Sequence, residues 1–108
     1  MRLIKEITEH IHEEMEGICS YIKFASKVKT ENEYIFDTLL EIIPQEIKHV
    51  EIWHDVAVRE INKMKTSFAA QGKEVPAYML EMWQDEHEEY IENMANIRYK
   101  LDLLKKPY

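Results

Sequence analysis

The stretch Leu39-Leu40-Glu41-Ile42-Ile43-Pro44-Gln45-Glu46-Ile47-Lys48-His49-Val50-Glu51-Ile52-Trp53-His54-Asp55-Val56-Ala57 lies near the middle of the chain. Within it Leu39, Ile43, Ile47, Val50, Trp53 and Ala57 recur every three or four residues, the period of one face of an α-helix. The same stripe reaches back to Phe36 and on through Ile61, Met64 and Phe68. A single helix is therefore predicted over residues 31–70, which at 1.5 Å per residue is roughly 60 Å long. Pro44 falls inside it. Proline removes one backbone hydrogen bond and crowds the preceding turn, so a kink or a break is expected there.

Working outward, two breaks in the pattern bound this helix. Upstream, Lys29-Thr30-Glu31-Asn32-Glu33 places Thr30 three residues before Glu33, the spacing of a capping box. Downstream, Gln71-Gly72-Lys73-Glu74-Val75-Pro76 offers a glycine suited to ending one helix and a proline suited to starting the next. A first helix is predicted over 2–28, with Leu3, Ile7, Ile11, Ile18, Tyr21 and Ala25 as its apolar stripe. A third is predicted over 76–105, carrying Met79, Trp83, Tyr90, Met94, Ile97, Leu101 and Leu104. The expectation is an all-α single domain over 1–108: an antiparallel helical bundle of three helices.

Composition agrees with this and narrows the function classes. Among 108 residues, 45% are hydrophobic and 32% charged, with two glycines and three prolines, which suits a packed helical domain and not a disordered tail. No apolar run reaches the roughly 18–20 residues needed to span a bilayer. Met1-Arg2-Leu3-Ile4-Lys5-Glu6 leads directly into an amphipathic pattern without the features of a secretory signal. Cys19 is the one cysteine, so no internal disulfide can form, and a cytoplasmic location is expected. A net charge of -7 argues against nucleic acid and anionic membrane surfaces as partners and is compatible with metal cations.

Several polar residues sit where apolar ones are expected. At 100° per residue, Glu14 falls on the stripe of the first helix, where a carboxylate is costly unless paired, protonated or bound to a metal. Glu46 and His49, three apart, share the face of Ile42, Ile43, Val50 and Trp53. Neighbours at that spacing can converge on one cation. Four-helix carboxylate sites use such Glu-x-x-His pairs, each facing a further Glu on a neighbouring helix. Glu51 and His54 repeat the spacing, but Glu51 shares its face with Lys48, Asp55 and Arg59 and reads as solvated. His10, one turn before Glu14, could support it. Glu13 and Glu16 flank the stripe and read as solvated. His87, on a stripe with Leu80, Trp83, Ile91 and Met94, reads as a core histidine sooner than as an extra ligand.

The run Glu14-Met15-Glu16-Gly17-Ile18-Cys19-Ser20-Tyr21-Ile22-Lys23-Phe24-Ala25-Ser26-Lys27 resembles the first bundle helix of rubrerythrins, in the ferritin-like superfamily. There a ligand glutamate is followed seven residues later by tyrosine and then by a Phe-Ala-Ser-Lys-like segment. Glu14, Tyr21 and Phe24-Ala25-Ser26-Lys27 reproduce those offsets, and Glu46 and His49 follow 32 and 35 residues after Glu14. Glu13-Glu14-Met15-Glu16 with Tyr21 is also similar to encapsulated ferritins. These are half-length members with one Glu and one Glu-x-x-His per chain, in which two chains complete a four-helix di-iron centre. The resemblance covers residues 10–56. Beyond it the chain departs from the full-length pattern. Asp85-Glu86-His87-Glu88-Glu89-Tyr90 contains no second Glu-x-x-His, and the third helix is longer than the tail of a half-length member.

The resemblance implies Glu14, Glu46 and His49 as metal ligands in a di-iron centre, with manganese or zinc as alternative occupants. It implies Tyr21 near the metal, as a hydrogen-bond donor to a ligand or as packing. It implies oxidation of ferrous iron for storage or peroxide handling, self-association as homodimer or higher oligomer, and a protein shell as a further partner. Carboxylates with a minority of imidazole suit iron or manganese better than zinc. The competing expectation is a metal-free helical interaction module, whose polar residues set pairing register. The histidine spacing of hemerythrin-like oxygen carriers is absent.

Overall fold

The computed structural model describes residues 2–107, and all of its regular structure is helical. Three helices follow one another: α1, Arg2–Val28; α2, Glu33–Ala70; α3, Ala77–Lys105. They form an elongated helical bundle with principal extents of 61 × 17 × 15 Å, the long axis being set by the length of α2.

The helix ends follow local chemistry. Asn32, and not Thr30, caps α2: its side-chain oxygen accepts from the Ile35 N–H at 3.0 Å. Thr30 is unavailable because the chain is still closing α1, with the N–H groups of Glu31 and Asn32 both bonded to the Val28 carbonyl. At the other end Gly72 takes φ 67°, a conformation that costs L-residues roughly 1–2 kcal/mol. With Gly72 in that state, its N–H reaches the Ala69 carbonyl and the Lys73 N–H reaches that of Phe68, satisfying two orphan carbonyls of α2.

Pro44 does not break α2, which runs through it as one helix. Pro44 is exposed, while Leu39, Ile43 and Ile47 are buried and hold the helix in register on either side of it.

The core is built from all three helices. Ile18, Ile43, Val50, Met94 and Ile97 are its most completely buried side chains. At one end Ile4, Met79 and Trp83 gather Ile61, Met64, Phe68 and Val75 around them. At the other, the Lys29 ammonium donates to the Lys106 carbonyl at 2.7 Å. α1 packs closely against α2 and also against α3, whereas α2 and α3 meet through long side chains.

This arrangement rotates the buried stripe of α1 from its expected position. Ile4, Ile7, Ile11, Met15, Ile18, Ile22, Ala25 and Val28 are buried, while Leu3 and Tyr21 are exposed. Because α1 faces two neighbours, its apolar surface is centred between them. Glu14 is left roughly 45° round the helix, at the edge of the stripe. Among the described residues no charged or polar side chain is fully buried.

Candidate metal centre

Glu14 on α1 and Glu46 and His49 on α2 come together across the seam between these helices. One donor atom from each lies within 4.8 Å of the other two. The i, i+3 spacing on α2 sets His49 Nδ1 3.7 Å from Glu46 Oε1. Helix packing supplies Glu14 from the facing side. The carboxylates are half-buried, with 23% of the Glu14 side chain and 26% of that of Glu46 exposed, while His49 is 54% exposed at the rim. Glu14 and Glu46 therefore line a surface groove, together with His10, Glu13, Gly17, Ser20 and Tyr21, and His49 lies beside it.

The electrostatics of the groove are unusual. A hydrogen bond with Glu46 raises the pKa of Glu14, burial adds to this, and so does the like charge of Glu46. His10 and His49 pull in the opposite direction. Two carboxyl groups this close resist ionising together, and a cation between them relieves that resistance. His10 Nε2 stands 3.5 Å from Glu14 Oε1, and its ring meets Trp53 edge-on at 4.8 Å, which fixes the imidazole beside the carboxylate. Two carboxylates and one imidazole form a donor set that accepts iron or manganese, and half of a bundle di-iron set.

Tyr21 lines the groove but is exposed and engages neither carboxylate in a hydrogen bond. Glu51 pairs instead with Arg98 of α3 at 3.2 Å, both side chains about half exposed. His54 also reaches across to α3. Its ring stacks on Tyr90 with centroids 3.8 Å apart and planes at 6°, and burial followed by the nearby His87 lowers its pKa. His87 is exposed and not a core histidine. Of the residues on its stripe, Trp83 and Met94 are buried while Leu80 and Ile91 are open to solvent, so His87 lies at the exposed edge of the buried face of α3.

A second group that the sequence reading did not assemble consists of His12, Glu86 and Glu89, again with one donor atom each within 4.8 Å of the others. Its signal in the sequence was faint: the acidic run 85–89, with nothing to say which residue of α1 would face it. Finally, no helix among the described residues is long and apolar enough to cross a membrane. The chain matches no protein-family model, no curated protein and no solved structure.

Proposed function

We propose that the chain is a ferritin-like half-bundle of antiparallel helices, two copies of which complete a di-iron centre that binds ferrous iron and oxidises it. The observation that carries this reading is the convergence of Glu14, Glu46 and His49 at a surface groove, lined by the two carboxylates, and not in a closed core. One chain offers two carboxylates and one imidazole; two chains offer four and two, the full ligand set of bundle carboxylate sites.

A second feature favours a partner over this groove. Gly17 lies within α1 and lines the groove, and a Cβ built there would meet nothing within 4 Å. A glycine inside a helix costs about 0.5–1 kcal/mol relative to alanine, and an isolated chain gains nothing from it. Close approach of a second backbone accounts for it.

In this reading Glu14 and Glu46 from each copy hold two ferrous ions as substrate, and His49 caps the rim. Each ferrous ion yields one electron, so a pair supplies the two electrons that reduce oxygen to peroxide or peroxide to water. A cation between Glu14 and Glu46 offsets the like-charge repulsion that raises the Glu14 pKa, and His10 stands 3.5 Å from the Glu14 carboxylate. The electronegative groove, with Glu13 at its edge, favours arrival of cations.

The metal-free pairing module has its own support. Leu3, Tyr21 and Phe24 are exposed on the side of α1 that carries Glu14, an apolar margin that could drive association without an ion. Light scattering on chelated and iron-loaded protein, with absorbance-monitored oxidation, separates the readings. Metal-dependent assembly with turnover supports the di-iron centre. Assembly indifferent to metal, without oxidation, supports the module.

A further inference from the structure

His12 and Glu14 are two residues apart on α1 and so point about 160° away from each other around the helix axis. The groove of Glu14 is therefore on one side of α1, and everything around His12 belongs to the other. On that side one turn of α3 presents Glu86, His87, Glu89 and Tyr90. His12 Nε2 lies 3.0 Å from Glu86 Oε2, and Glu89, one turn further along α3, brings a third donor atom within 4.8 Å of both.

Three donors from two helices, two carboxylates and one imidazole, leave a tetrahedral or higher-coordinate ion with open positions for water. A cavity of about 310 Å³ adjoins them, lined by His12 and Glu86 and also by His54, His87 and Trp83. The Trp83 indole N–H in that wall is buried without a hydrogen-bond partner, although the residue is only 7% exposed. His54 Nε2 of α2 and His87 Nδ1 of α3 stand 3.2 Å apart at the cavity edge, so further nitrogen donors line the same cavity.

We propose that His12, Glu86 and Glu89 bind a divalent first-row transition ion, separate from the groove of Glu14, Glu46 and His49, and that this ion fastens α3 to α1. The fastening follows from where the ligands lie. α3 is held to the bundle by its contacts with α1 and by side chains alone across to α2. An ion bridging His12 to Glu86 and Glu89 adds a link near the middle of α3, and because only the docked helix offers the full ligand set, binding energy becomes docking energy. This holds whether or not the first groove oxidises iron.

Zinc(II) is the suitable probe, since it is redox-silent and accepts nitrogen and oxygen donors. Calorimetric titration is made on the double variant Glu46→Ala/His49→Ala, in which the first groove is disabled. One zinc ion per chain is expected, together with a raised thermal midpoint and a zinc-dependent change in Trp83 fluorescence, with Trp53→Phe silencing the other tryptophan. Adding His12→Ala, or the more conservative Glu86→Gln or Glu89→Gln, is expected to weaken zinc binding at least tenfold with helical content retained. Absence of zinc binding in the double variant overturns the proposal. So does unaltered binding after His12→Ala, including the case in which His54→Ala removes the ion instead.

Discussion

The Glu46 side chain holds the carboxyl of Glu14 above its ordinary range, across the seam between α1 and α2. The hydrogen bond between the two acids requires a proton, so the metal-free fold favours the protonated form of Glu14. Stability from this contact is fully present below about pH 4.5, the unperturbed value, and is lost as pH rises through the raised one.

Glu14→Gln keeps a hydrogen-bond donor without the titration. In chelated protein its thermal midpoint should match that of the parent at low pH and exceed it increasingly above about pH 4.5. Added metal should reverse the order at neutral pH, because only the parent can offer a carboxylate. A difference that stays constant with pH would show that Glu14 ionises independently of Glu46.

Ligand removal should separate the two Glu-x-x-His pairs. Glu14→Ala, Glu46→Ala and His49→Ala should each slow ferrous iron oxidation by at least about tenfold, the scale seen even for residues that only support ligands. Glu51→Ala breaks an exposed pair with Arg98, worth roughly 0–1 kcal/mol, and should leave oxidation unchanged. Equal damage from Glu51→Ala and Glu46→Ala would assign the chemistry to the wrong pair.

Gly17→Ala should act in opposite directions on the chain and on its assembly. Removing helix-interior glycine should stabilise the separated chain by about 0.5–1 kcal/mol. The same methyl group, pointing into open groove, should weaken self-association. Dilution series by light scattering, paired with thermal melts at low concentration, measure both. Association unchanged by Gly17→Ala would move the contact between copies off this groove.

Core and surface apolar residues should differ sharply. Ile43 is fully buried, and Ile43→Ala should cost about 2–5 kcal/mol by chemical denaturation. Leu3 is 55% exposed, and Leu3→Ala should change stability by no more than about 0.5 kcal/mol. A large loss at Leu3 in assembled but not in dilute protein would place it at the contact between copies.

How much of this was legible depended on whether the information was local. The stripes of α2 and α3 were readable because each is a property of one helix: Leu39, Ile43, Ile47 and Val50, or Met94, Ile97 and Leu101, are all buried. The stripe of α1 was displaced because Met15 and Ile22 are buried only in a helix with two neighbours, and periodicity does not count neighbours. Asn32 and Thr30 are both good capping residues; which one caps depended on where α1 finished closing. Glu46 with His49 could be picked out at i, i+3, but His12 with Glu86 spans 74 positions and needs the register of α1 against α3. The raised Glu14 pKa likewise arises from an inter-helix contact.

The unequal attachment of the helices implies an order of events in folding. α1 and α2 share the most extensive contact and are joined by a short turn, so their hairpin closes a small loop before most long-range contacts form. α3 has little to dock against until that hairpin exists. Trp53 lies in the α1–α2 seam beside His10, and Trp83 lies in the cluster that α3 forms with Ile4. The two indoles thus time the two stages. In stopped-flow refolding of single-tryptophan variants, the Trp53 signal should develop ahead of the Trp83 signal, and a single shared rate would mean that hairpin and third helix condense together.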